Sequence, residues 1–399
     1  MVTDVLARPI PSTGRGRVTV AVAAAGLSSF ALLYAPQAVL PQLAAEFGLD
    51  PGGASLAVGV ATGALAVAVL PLAALSEIVG RRQMILVSVI ASVLLGLLLP
   101  LAPSFDALLV MRALQGVAIA GFPGVASAYL MERLGAKGVA AAVGAMVAGN
   151  SVGGMAGRLG AGFVAEPLGW HGALLLVAAV SLVCALVTVC TLPPAGPRSR
   201  AGSADLLAGL RAALSRPSLL ALYGVAAAGA GAFVALYNAA GFRLIRDPFG
   251  LAPAIASLLF LAYAMGTLSS AVAGRLAGRF GQGRVLTAAM LVTVLGTLLT
   301  LPDSLPVAVV GFLLLTGGFF AAHAVANGWS AARAPEGARG QVSGMYTLFY
   351  YLGSSVGGTV GSVVYAVAGW AWLVALTSAW LLLATSAIRL AARPEITKA

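Results

Sequence analysis

The chain has 399 residues, 60% of them hydrophobic and only 9% charged, with a mean hydropathy of +1.00. A soluble domain carries about 45–50% apolar and about 25% charged residues, so this composition cannot cover a globule's surface in water. Soluble enzymes, disordered chains and secreted disulfide scaffolds are excluded. The net charge of +11 would point to nucleic acid only if the basic residues gathered on one wet surface. They fall instead in short stretches between apolar runs, so no nucleic-acid partner is expected. Cys184 and Cys190 are too few for a disulfide framework or a metal site and read as packing residues.

A helix that crosses a bilayer needs about 20 mostly apolar residues. Twelve runs qualify, near 18–42, 53–75, 83–102, 105–130, 139–164, 171–192, 217–241, 252–274, 285–302, 306–330, 341–366 and 371–391. They are continuous rather than alternating, which argues against a β-barrel. The first follows a polar stretch and carries no small-residue cleavage site, so it is expected to be an uncleaved span. The longest loop, 193–216, opens on Pro193-Pro194 and separates six spans from six. In it Leu206, Leu207, Leu210 and Leu214 have helical spacing, which fits a membrane-surface helix and a solvated linker equally. The expected fold class is an all-α polytopic membrane protein of twelve transmembrane helices. Its expected parts are a tail (1–17), an N-terminal six-helix bundle (18–192), a linker (193–216), a C-terminal six-helix bundle (217–391) and a tail (392–399).

Orientation follows from Lys and Arg in short loops. Nineteen of the 23 basic residues, from Arg8, Arg15 and Arg17 to Arg389, Arg393 and Lys398, fall in the terminal segments and even-numbered loops. Only Arg243 and Arg246 fall on the opposite side, and Arg112 and Arg158 lie within spans. Both termini are therefore expected in the cytoplasm, with the chain in the cell's inner membrane.

The halves repeat one another. Gly149-Asn-Ser-Val-Gly153-Gly154 recurs as Gly353-Ser-Ser-Val-Gly357-Gly358, Leu75–Arg82 is echoed by Leu276–Gly281, and Gly169-Trp170 recurs as Gly369-Trp370, at offsets of 204, 201 and 200. Six spans per half make the copies parallel, a pseudo-symmetry that places a substrate near the midplane between them.

Three segments resemble motifs of the major facilitator superfamily, and the resemblance runs over essentially the whole chain. Leu75-Ser-Glu77-Ile-Val-Gly80-Arg81-Arg82 is similar to that family's loop 2–3 motif, with Ile78 where an Arg is common. Leu109-Val-Met-Arg112-Ala-Leu-Gln115-Gly116 is similar to its span 4 motif. Gly149–Gly154 resembles its antiporter motif, with Asn150 where the pattern has Pro. The run through Arg158 resembles the bacterial branch labelled arabinose-efflux-like or multidrug-efflux permeases. The resemblance implies secondary transport: proton-coupled antiport that exports small organic compounds, by a monomer.

It also implies roles. Arg112 and Gln115 would take part in proton coupling, with Arg158 and His323 as further candidates. A charge at membrane depth costs at least about 2.5–3.5 kcal/mol, so Arg112 must either serve a function or bond backbone carbonyls as a structural pin. Arg158 reads equally as an anchor, and His323 as a satisfied structural histidine. Glu77, Gly80, Arg81 and Arg82 would form a cytoplasmic latch between the halves. The family's 2/11 and 5/8 contacts would use small-residue stripes as moving faces: Gly149, Gly153, Gly154 and Gly157, then Gly353, Gly357 and Gly358, with Gly59 and Gly63 in span 2 and Gly266, Ser270 and Gly274 in span 8. Tyr34, Gln37, Phe122, Asn150, Tyr237, Asn238, Asn327, Tyr346 and Tyr350 are candidates for a substrate cavity, an uncharged aromatic wall suited to a neutral or lipophilic compound. No P-loop is present, no His/Glu/Cys constellation suggests an enzyme, and no catalytic residue, cofactor or metal is expected. The rival readings are uptake or facilitated diffusion of a sugar or other nutrient, and a non-transporting sensor or scaffold.

Overall fold

A computed structural model describes residues 12–193 and 203–392. Arg8, Arg198, Arg200, Arg393 and Lys398, used in the orientation argument, lie outside them. The described residues are helical nearly throughout. Span 1 is α1 (Ser12–Tyr34), a 3-10 turn (Ala35–Val39) and α2 (Leu40–Phe47). Span 2 is α3 (Pro51–Val79), span 3 is α4 (Arg81–Leu98), and α5 (Phe105–Ala120) opens span 4. Helix α6 (Pro123–Thr191) finishes span 4 and supplies spans 5 and 6, because Gly135 (φ 63) and Gly169 (φ 64) break it into three. A short helix, α7 (Ser203–Leu214), precedes the second half. There α8 (Pro217–Ile245) is span 7, and α9 (Pro253–Ser257) with α10 (Tyr263–Phe280) is span 8. Spans 9 to 12 are α11 (Gln282–Leu299), α12 (Leu305–Ala332), α13 (Arg339–Ala368) and α14 (Trp370–Ala391).

Ten segments are long and apolar enough to cross a membrane by composition. Twelve crossings follow because one of these segments, 138–191, turns back at Gly169. The twelfth is α13, whose Gly, Ser, Thr and Tyr content lowers its hydropathy although it is 30 residues long. Local signals set the boundaries. Asp50 caps α3, its carboxylate accepting from the Gly53 N–H at 2.6 Å with Pro51 at the first helical position. Ser104 caps α5 through the Ala107 N–H at 3.2 Å. The 5-to-6 and 11-to-12 reversals use matching left-handed glycines, Gly169 (φ 64) and Gly369 (φ 84), where a side chain would be strained.

The repeat is legible in the packing. A Cβ on Gly149, Gly153 or Gly157 would collide with the backbone of Ala23, Leu27 or Ala31 in α1. One on Gly353 or Gly357 would collide with Ala227 or Gly231 in α8, and one on Gly361 would meet Ala235. Every one of these pairs is shifted by the same 204 residues. These glycines therefore join span 5 to span 1 and span 11 to span 7 within each bundle. The expectation that they form faces moving between the bundles is corrected: at such approach the helices are locked, not sliding.

The bundles meet elsewhere. Gly59 and Gly63 of α3 face Thr359 and Ser355 of α13, and the Ser355 hydroxyl donates to the Gly59 carbonyl at 2.7 Å. At the end away from the termini, Gly162 lies against Ser257 and Gly241 against Pro41, and Phe242 of α8 is buried in the core cluster of the N-terminal bundle. Toward the termini, Gly144 of span 5 and Gly274 and Gly278 of α10 have nothing within 4 Å of where a Cβ would sit. Spans 5 and 8 thus meet at the far end only. Of the span 8 stripe, Gly266 and Ser270 pack on Phe320 of α12, within their own bundle. Helix α7 lays Leu210 and Ala213 on the C-terminal bundle; the side chains of Leu206 and Leu207 fall outside the described set.

Candidate functional site

Arg112 is fully buried. Its Nε donates to the Ala57 carbonyl at 2.7 Å, Nη1 to the Leu32 carbonyl at 3.1 Å and to Gln115 Oε1, and Nη2 to the Leu33 carbonyl at 2.6 Å. Gln115 Nε2 continues to the Ser92 carbonyl at 3.0 Å. Spans 1, 2, 3 and 4 are tied through one guanidinium. The carbonyls are available because Pro36 has no N–H. Leu32 lies four residues before it and loses its α-helical donor, and Leu33 lies three before it and loses its 3-10 donor, in the turn where α1 tightens. The structure thus favours the pin among the two readings of Arg112: its acceptors are neutral and its surroundings are bundle core.

Arg158 is different. It is 2% exposed and lies in span 5 facing the other bundle. Its Nε donates to Gln37 Oε1 at 2.5 Å and Nη1 to the Gly154 carbonyl at 2.7 Å. Gln37 Nε2 then donates to Asn238 Oδ1 at 2.7 Å, from the N-terminal bundle to α8 of the C-terminal one. The guanidinium carbon sits 4.1 Å from the ring centre of Tyr34, 4.5 Å from Tyr263 and 5.5 Å from Phe260. Three π faces in a site away from water replace part of the lost hydration. Tyr34, Gln37 and Asn238 are thus brought together as expected of cavity residues, while Phe260 and Tyr263 are additions. Their signal in the sequence was two aromatics entering span 8, masked by the glycine and serine stripe that follows.

Beyond Tyr263 the C-terminal bundle presents a continuous aromatic wall. Tyr237 donates to or accepts from Thr316 Oγ1 at 2.6 Å and packs edge-on to Tyr263 at 5.1 Å. Phe233 stacks on Phe319 at 4.2 Å. His323 follows, its Nδ1 3.1 Å from the Tyr346 hydroxyl and its ring 4.7 Å from that of Tyr350. A small cavity bordered by Gly229, Met290, Phe319, His323 and Tyr346 adjoins it. Three other candidates lie apart. Phe122 is fully buried in the core of the N-terminal bundle, because its position at the bend ending α5 turns it inward. Asn150 is directed at Gly26 in the span 1 contact, in the space the small residue leaves. Asn327 is exposed near the end of α12.

The loop 2–3 charges do not join the halves here. Arg81 pairs with Glu132 at 2.7 Å and more loosely with Glu77 at 3.9 Å. Arg82 donates to the Leu192 carbonyl at 3.3 Å from Nε and Nη2. Gly80 (φ 103) makes the turn between them. All these partners belong to the N-terminal bundle. In this arrangement, with spans 5 and 8 apart at this end, these charges form an intra-bundle cluster.

Two six-helix bundles around a polar contact at membrane depth define a solute transporter of the parallel-repeat kind. The chain belongs to the Major Facilitator Superfamily, whose family model matches residues 21–245 and 231–398. It is 37% identical over 374 residues to the inner membrane transport protein YnfM of Escherichia coli (strain K12), covering 92% of this chain and 88% of that one. It is 35% identical over 372 residues to the MFS-type transporter YybF of Bacillus subtilis (strain 168), covering 92% and 91%. Its fold is similar to the crystal structure of a bacterial homologue of the human lysosomal transporter Spinster in an inward-facing, unoccupied conformation, with a TM-score of 0.79 at 18% identity over 96% of this chain and 98% of that chain. The protein is a multi-pass membrane transporter.

Proposed function

We propose that the protein is a secondary active exporter of small, largely apolar organic compounds, working by alternating access with both termini in the cytoplasm and with protons as the counter-ion. The observation that carries this reading is the Arg158–Gln37–Asn238 chain, a polar bridge at depth between bundles that otherwise meet through small residues and aromatics. Substrate reaching that bridge from the open side would have to part it to cross. The distribution of basic residues supports the cytoplasmic assignment of the termini. Of the two histidines, His171 stands at the very start of span 6, two residues after Gly169; His323 lies inside α12, and its Tyr346 partner and adjoining cavity suit a proton-handling pair.

A second reading, facilitated diffusion, is favoured by one observation. Among the described residues whose side chains are placed, the carboxylates, from Glu46 and Glu77 to Glu132, Glu166 and Glu336, sit toward span ends or in loops. Flux in reconstituted vesicles with an imposed pH gradient separates the two. Under the export reading wild-type flux follows the gradient and His323→Gln loses that dependence. Gradient-independent flux removes the antiport reading and leaves facilitated diffusion.

A further inference from the structure

The bridge that carries the proposed function also says what class of molecule it accepts. We propose that Arg158, Gln37, Asn238 and Tyr263 form a binding site for a small organic monocarboxylate with an aromatic or otherwise apolar body. The proposal rests on the transporter reading for its biological sense, and on the following geometry for its chemistry.

Arg158 is a buried cation with no carboxylate partner among the described residues. Of the five N–H groups of a guanidinium, its hydrogen bonds use one on Nε and one on Nη1, to neutral oxygens. Nη2 has no hydrogen-bond partner among the described residues. Arg112, by contrast, donates from all three of its nitrogens to enclosed acceptors. Two arginines at similar depth are thus treated differently: Arg112 spends four of its five N–H groups, whereas Arg158 is held by π faces and spends two.

The polarity of the bridge is fixed by chemistry. Arginine can only donate, so the Gln37 atom 2.5 Å from Arg158 Nε must be its oxygen. Gln37 must then donate to Asn238, which turns the Asn238 oxygen toward Gln37 and leaves its amide nitrogen over. That Nδ2 is buried without a partner, and so is the Tyr263 hydroxyl over whose ring the guanidinium lies. The unspent groups are a guanidinium, an amide N–H and a phenolic O–H. Such a set of donors matches an acceptor carrying one negative charge. An amine would be repelled, a neutral amide would bring donors of its own, and a dicarboxylate would bury a second charge without a cation. Tyr34, Phe260 and Tyr263 supply flat apolar walls for the rest of the molecule.

Binding would also act on the gate. A carboxylate that takes the Arg158 fork displaces Gln37, and without that bond the cross-bundle Gln37–Asn238 contact loses its orientation. Substrate would then loosen the far end as it binds, the differential interaction that alternating access requires.

The test uses purified full-length protein and calorimetric titration with matched probes, benzoate against benzamide and indole-3-acetate against indole-3-acetamide, at constant ionic strength. The expected result is that at least one carboxylate binds about 10-fold or more tightly than its amide, the worth of a charged hydrogen bond. Arg158→Gln brings the two within about 2-fold, and Arg158→Lys retains part of the preference. Tyr263→Phe, which removes one hydroxyl and keeps the ring, weakens the carboxylate by several-fold and leaves the amide unchanged; it serves if Arg158→Gln does not fold. Equal binding of both members of each pair, binding of neither, or a preference that survives Arg158→Gln and Tyr263→Phe overturns the proposal. Flux assays on the same preparation keep the two readings apart: transport without carboxylate preference sinks this site and spares the transporter, whereas Arg158-dependent binding without flux does the reverse.

Discussion

Arg112 shows how a charge can be at home inside a membrane bundle without a counter-ion. The guanidinium is satisfied by carbonyls that Pro36 has released, so proline and arginine form one structural unit although they stand 76 positions apart. Arg112→Ala is expected to leave the Leu32 and Leu33 carbonyls unpaired, at about 1–3 kcal/mol each. The purified variant should melt several degrees below wild type in detergent. An unchanged melting temperature with abolished flux would restore Arg112 to a direct role in coupling. The sequence alone locates Arg112 as a deep charge with Gln115 beside it, and it contains Pro36 four residues after Leu32. What it does not carry is the pairing of those two facts, because the helix that brings them together is a matter of tertiary packing. For Arg158 the same limit hid the aromatic cage, since Phe260 and Tyr263 belong to the other half of the chain.

Among the helices, the small-residue stripes carry a general lesson about spacing. Intervals of four tell that a helix backbone comes close to something, and that part was legible. The partner was not, and the assignment to a moving interface failed for Gly149, Gly153, Gly157, Gly353 and Gly357. Rigid and mobile contacts are now distinguishable by what a Cβ would strike. At Gly153 it strikes the backbone of Leu27, whereas at Gly63 it meets only the Ser355 side chain, 2.8 Å from Oγ. Gly153→Leu should therefore abolish recovery of monodisperse protein by size exclusion. Gly63→Leu should be recovered normally and show flux reduced at least about 10-fold, a barrier change of about 1.4 kcal/mol. If Gly153→Leu folds and Gly63→Leu transports at the wild-type rate, the division into locked and mobile faces is wrong.

For the whole molecule, twelve spans in two repeats were legible from hydropathy and from three sequence echoes, because apolar length and glycine at reversals are local signals. The conformation was not legible: which ends of the bundles touch depends on a balance between two arrangements of the same sequence. In the arrangement seen, Gly162 and Ser257 abut at the far end. A Gly162→Cys/Ser257→Cys pair should cross-link readily under mild oxidation and stop flux until reduced, and a failure to cross-link would mean that the far end is open at rest. Reporter fusions in the 193–216 loop should read cytoplasmic. One consequence lies in how the chain reaches this state. Helix α13 holds both bundles, packing on α3 by Ser355 and on α8 by Gly353 and Gly357, yet its Gly, Ser, Thr and Tyr content leaves it outside the ten segments most plainly apolar enough to cross a membrane. A nascent α13 gains little from lipid and gains most from partners made more than a hundred residues earlier. The insertion machinery must then deliver it against helices already standing in the bilayer, so that biogenesis of the second half is templated by the first.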